Sequence, residues 1–296
     1  MPKNFPFIFT TIAFLLLEKP AQAHPTMGVD IANAALESLI LSAPFPSLDG
    51  GQNEVTPQYG TIQTELINKP GVTDTTTPVA NYSGVSKGQS AGFGLTFPSK
   101  KDLSYFFYVT GSSQTGEFNI TYDSAATVRY TDFKASGAAA FAAAQYRLVG
   151  DAKSTFALGV FGGPGYYSFQ SSLNYDQVGS GPTPSDVKFD PSGIGVLTGL
   201  QMVFRVGKFR INPYFLVFNG IGDACHKVSL TGGQLGDSSF KCGGNDGYAA
   251  VPPGFGGLGL ALGYQALRFN VWSFQPANDI RPLKVTSYTV SYGFEF

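Results

Sequence analysis

The sequence predicts an all-β transmembrane barrel of about ten antiparallel strands. Three observations carry this reading. From about residue 88 to the end, large apolar residues alternate with small or polar ones at period two. Charged residues are only 13% of the 296, whereas Gly (37), Phe (26) and Tyr (15) are abundant. Connections alternate between short and long, as they do when every second turn faces the same side of a membrane. A soluble sandwich or barrel would bury its apolar face and display charge. Here the second face is mostly Gly, Ser, Thr, Asn and Arg and the strand ends carry aromatics, so the expected barrel turns its apolar face to lipid and its polar face to the lumen.

The first 23 residues stand apart from the fold. Lys3 gives a positive start, residues 5–17 are apolar, and Ala21-Gln22-Ala23 is an A-x-A cleavage site, the layout of an export signal. The apolar stretch is shorter than the roughly 20 residues that span a bilayer, so cleavage before His24 is expected. Residues 24–55 form a helical, plug-like segment and 56–296 the barrel. Within the segment, 30–41 are good helix formers, with Asp30 at the start and Pro44 and Pro46 at the end. The stretch 24–67 contains Asp30, Glu37, Asp49, Glu54 and Glu65 but neither Lys nor Arg.

The strands follow in order. A weak first one lies at 58–67. Ala91, Phe93, Leu95 and Phe97 share the apolar face of the next, and a polar turn at 98–102 leads to Leu103, Tyr105, Phe107 and Val109. Ala138, Ala140, Ala142, Ala144, Tyr146 and Leu148 form another such face, as do Phe156, Leu158 and Val160, then Ile194, Val196, Leu200, Met202 and Phe204. After Gly207-Lys208 come Phe209, Ile211, Phe215 and Val217, and after them Leu258, Leu260, Leu262 and Tyr264, then Leu267, Phe269 and Val271. Long loops are expected near 111–135, 170–191, 221–253 and 276–283. A further hairpin at 118–130 would make twelve strands; loss of the weakest would leave eight.

The final strand places Tyr288, Val290, Tyr292, Phe294 and Phe296 on one face. Here the chain resembles the bacterial outer-membrane β-barrel proteins, porin-like in layout, whose last strand ends in Phe with hydrophobic residues at every second position before it. The resemblance implies a Gram-negative outer-membrane location, lipid around the barrel, and recognition of Tyr292, Phe294 and Phe296 by the barrel-assembly machinery.

Cys225 and Cys242 flank a glycine-rich stretch, and an exported chain would join them as a disulfide, worth about 3 kcal/mol by loop closure. With His226 they make no zinc spacing, so no metal or cofactor is expected. Arg147, Arg205, Arg210 and Arg268 fall on the lumen face beside short turns. They would line a constriction that favours anionic solutes, clamp the acidic segment through Asp30 and Glu37, or form structural pairs inside a wet lumen. A net charge of -1 gives no reason to expect nucleic acid. With histidine only at 24 and 226 in the mature chain, no base is placed to serve a nucleophile, so an enzyme is not expected. The leading expectation is a channel for passive diffusion of small solutes, narrowed by the N-terminal segment. The alternative is a structural or adhesive barrel with a filled lumen and a disulfide-stapled external loop.

Overall fold

The computed structural model describes residues 27–42, 48, 52–67, 79–100, 102–122, 127–151, 154–178, 185–231, 238–240, 254–274 and 283–296. The expected export signal, Pro44, Pro46 and Cys242 lie outside them. One helix, α1 (Met27–Leu41), precedes twelve strands. These are β1 (Glu54–Leu66), β2 (Val79–Lys100), β3 (Leu103–Tyr122), β4 (Thr127–Val149), β5 (Phe156–Val178), β6 (Ser185–Val206), β7 (Phe209–Thr231), β8 (Ser238–Phe240), β9 (Gly254–Tyr264), β10 (Leu267–Phe274), β11 (Leu283–Tyr292) and β12 (Phe294–Glu295). Each barrel strand pairs antiparallel with its neighbours, and β1 closes the ring on β11, from Tyr59 opposite Val290 to Leu66 opposite Leu283. The closed barrel has ten staves, as the sequence led us to expect. β12 prolongs β11 beyond Gly293, and β8 pairs only with β7.

The inverted patterning holds. Phe93, Tyr105, Phe107, Val109, Tyr146, Ile194, Leu258 and Phe269 are all exposed on the outside, and this apolar belt is fit only for lipid. At the short-turn end the belt carries aromatic contacts across neighbouring strands: Phe156 with Phe204 at 5.2 Å, Phe209 with Tyr264 at 4.9 Å, and Phe97 with Phe107 at 6.2 Å. Rings of this kind sit where a barrel meets the interfacial region of a bilayer.

Three loop expectations are corrected. Residues 111–122, 127–135, 170–178, 185–191 and 221–231 are strand: β3 runs on to Tyr122, β5 to Val178 and β7 to Thr231. Residues 118–122 and 127–130 continue β3 and β4 instead of adding a hairpin. Cys225 and His226 therefore lie on β7, opposite Ser192 and Pro191 of β6, and not in a loop. The physical reason is that the outward positions of these upper segments are polar, among them Lys87, Glu117, Arg129, Lys134 and Lys188, all exposed. Sheet that leaves the bilayer can remain sheet when its outer face is hydrated. β2 to β7 have 20–23 residues, whereas β1, β9, β10 and β11 have 8–13. A 22-residue strand is about 70 Å long, and at the usual tilt of about 40° it still stands well above an apolar band of about 25 Å.

Inside, the core is one contiguous apolar cluster. It joins Ile31, Leu36, Leu39 and Ile40 of α1 to inward rings such as Phe106, Tyr108, Phe141, Phe161, Tyr167, Phe218 and Trp272.

Candidate functional site

The lumen is where this architecture can hold or pass a solute, and α1 occupies it. A helix buried on every side needs an apolar or small residue at nearly every position. The run from Ile31 to Ser42 meets that demand: all of it is buried except the half-exposed Asn33, and Glu37 is 6% exposed. Alanines at 32, 34 and 35 let the barrel walls approach the helix closely.

Polar contacts set its position. Gln114 of β3 donates to the Ser38 hydroxyl at 2.5 Å and, at 3.4 Å, to the Ala35 carbonyl. Its own carbonyl accepts from Ser86 of β2 at 2.9 Å and from Thr64 of β1 at 3.2 Å. Thr110 meets the Ser42 hydroxyl at 3.2 Å, and the Gln58 amide donates to the Ser42 carbonyl, which a helix end leaves unpaired. Gln58 and Thr110 share one level of the sheet through Gly92; Gln114 lies four residues further from the short turns. α1 therefore points its N-terminus away from the short-turn end.

Beneath the helix lies a polar floor. Gln145 donates to Gln201 at 2.9 Å and accepts from Ser104 at 3.2 Å. All four predicted arginines occupy inward register positions at the short-turn end. Arg268 donates to Glu54 at 2.7 Å, with both side chains nearly buried, and Thr56 donates to the same carboxylate at 2.6 Å. Gly293 makes room for this group: a Cβ there would lie 2.8 Å from the Glu54 carboxyl carbon. Arg147 donates to the Leu48 carbonyl and faces Asp102 at 3.8 Å. Arg205 stands directly across from Arg210, a repulsive register, and donates to the carbonyls of Ser154 at 2.7 Å and Asp151 at 3.3 Å. The arginines thus hold the base of the barrel and the segment that enters it. The acidic group one of them pairs with is Glu54, and Arg147 takes a main-chain oxygen at Leu48. Glu37 is buried in the lumen; Asp30 does not start the helix as expected but is its fourth residue, counting from Met27, with its side chain outside the described residues, and the Cys225–Cys242 pairing also lies outside them. Tyr292 and Phe294 face outward, their rings 4.7 Å apart, and the Phe296 amide donates to the Asn53 carbonyl at 3.0 Å.

Sequence reading missed the aromatic lining of the lumen. Tyr108 stacks on Phe141 at 4.8 Å, Phe141 meets Phe218 at 5.8 Å, and Phe218 meets Tyr167 at 5.8 Å; Tyr214 stacks on Trp272 at 6.1 Å. A signal was present. In Tyr105-Phe106-Phe107-Tyr108 and in Tyr166-Tyr167, successive residues are large, so both faces of the strand carry rings and the lumen cannot be uniformly small and polar.

No protein-family model matches the chain, and no curated protein matches it by sequence. Among solved structures it is similar to the outer membrane protease OmpT from Escherichia coli, over 84% of this chain and 99% of that one, with a TM-score of 0.51 and 10% identity. The transport unit of the autotransporter AIDA-I from Escherichia coli aligns over 93% of this chain and all of its own, with a TM-score of 0.42 and 11% identity. The outer membrane protein OprG from Pseudomonas aeruginosa aligns over 84% and 100%, at 0.37 and 11%. Identities this low speak to architecture alone. With its ring closed, its apolar belt outward and its end strands paired, the chain has the fold of the bacterial outer-membrane β-barrels.

Proposed function

We propose that this protein is a passive channel of the Gram-negative outer membrane for small solutes, held shut by its N-terminal helix. The observation that supports it is the buried helix: an amphiphilic ring built to cross lipid has its lumen filled in part by a separate segment of the same chain, packed against the inward rings of the wall. Besides its apolar contacts, the segment is tied at Gln114, Thr110 and Gln58, and the backbone ladder of the barrel wall closes without it, so its withdrawal leaves the wall intact. Export by a cleaved signal ending at Ala23, and assembly directed by Tyr292, Phe294 and Phe296, belong to the same reading. Catalysis does not: His226 lies on β7 and is given no role, and His226→Ala is expected to leave every activity unchanged.

The test is conductance of the refolded protein in planar bilayers, with and without residues 27–42. A low conductance that rises severalfold on removal of the helix supports a plugged channel. Absence of conductance from both forms favours a second reading, a structural or adhesive barrel with a filled lumen. The extent of the helix's burial speaks for that alternative.

A further inference from the structure

We infer that the lumen wall around Tyr108, Tyr167 and Trp272 is a binding site for an uncharged aromatic molecule bearing a hydrogen-bond acceptor, taken up as α1 withdraws. The inference rests on the channel reading and names its solute class.

The three side chains point inward and are 3%, 0% and 1% exposed. The two hydroxyls and the indole N–H nevertheless make no hydrogen bond. Buried polar groups are almost always paired, as at Gln114, Gln145 and Asn270. Ser90, Asn212 and Ser287 also carry an unpaired buried atom, but among the described residues Tyr108, Tyr167 and Trp272 are the unpaired groups carried on aromatic rings. α1 belongs to the same apolar cluster as these rings, yet offers the three donors no acceptor. A molecule that covers the rings and also accepts a hydrogen bond matches the wall better than the helix does.

The chemistry of the wall selects the molecule. Trp272 only donates, so the ligand must accept. Tyr108 and Tyr167 end a string of four rings through Phe141 and Phe218, and Trp272 stacks on Tyr214, so the surface is a platform for another ring. Lumen glycines leave the rings room: Gly165 lies against Phe141, Gly195 against Phe218, Gly259 against Tyr214, and Gly193 against the Tyr167 hydroxyl. A charged ligand would be desolvated among rings, because Arg147, Arg268 and Glu54 are engaged at the short-turn end.

Trp272 is the chain's single tryptophan, so its emission reports this wall and nothing else. The full chain in detergent is titrated with acetophenone, an aryl ketone that quenches indole, with ethylbenzene and cyclohexanone as competitors lacking the acceptor or the ring. Saturable quenching is expected, with both competitors at least tenfold weaker. Tyr108→Phe combined with Tyr167→Phe keeps the rings and should weaken acetophenone about tenfold while leaving ethylbenzene unchanged. Removing residues 27–42 should tighten binding, since the site is then always open; Leu36→Asp serves the same purpose if the deletion does not fold. Quenching that stays linear with concentration in every form, or affinity unmoved by the double Phe variant, overturns the inference and makes the cluster packing alone. Saturable quenching without conductance would retain the site and discard the channel; conductance without saturable quenching would do the reverse.

Discussion

Gln114 concentrates more of the plug's attachment than any other described residue. It holds two strands through Thr64 and Ser86 and the helix through Ser38, all in a buried setting. Gln114→Leu keeps the volume and leaves those hydroxyls unsatisfied, at about 1–3 kcal/mol. We expect faster proteolysis within 27–42 and longer open times in bilayers, with the barrel still resistant. Glu54 and Arg268 form a different kind of contact, a nearly buried ion pair that ties the start of β1 to β10. Glu54→Gln leaves the guanidinium short of a counter-charge, and breaking a buried pair costs about 3 kcal/mol. A lower midpoint in denaturant unfolding would confirm it, and Glu54→Gln with Arg268→Met should recover part of the loss.

At the level of elements, the lumen face of each strand trades ring against glycine with its neighbour. Phe141 of β4 faces Gly165 of β5, Phe161 of β5 faces Gly199 of β6, and Tyr214 of β7 faces Gly259 of β9. A Cβ at Gly165 would run into the Phe141 ring and meets no backbone atom first. Gly165→Ala should therefore destabilise the barrel by about 1–3 kcal/mol through overpacking, and Phe141→Leu in the same chain should restore most of it. Unfolding of the single and double variants by denaturant measures both. The helix follows a related logic: Leu39 rests where Gly137 has no side chain, so the plug seats in a groove cut into the β4 wall.

For the whole molecule, the outer belt, the aromatic girdle and the closing of β1 on β11 work as a unit, because a ring has no edge strands and only a ring can satisfy the backbone within lipid. Phe296 lies outside the paired register, 66% exposed, and contributes little to that closure. Phe296→Ala should leave refolding into detergent unchanged while lowering the amount of barrel assembled in cells severalfold. Pulse-chase of heat-modifiable barrel separates the two effects.

How much of this was legible depended on the distance over which each cause acts. Strand existence and facing are local, since period two sends Phe93, Tyr105 and Leu258 to one side whatever surrounds them, and lipid demands that side be apolar. The helix, expected at 30–41 and found at 27–41, and the two-residue turn at Gly207-Lys208 between β6 and β7, with Gly207 at φ 60°, were legible for the same reason. Strand length was not, because the point where β3 or β5 stops pairing depends on hydration above the bilayer and on a partner strand far along the chain. The arginines sit at inward positions near the turns, and their partners, Glu54 at a separation of 214 residues among them, follow only from closure of the ring. By itself the sequence determined a barrel with its apolar face outward and a helix ahead of it. Tertiary structure alone decided that the helix sits in the lumen, clasped by Gln114, against an aromatic wall whose donors face no acceptor, because those meetings join residues that share no local pattern.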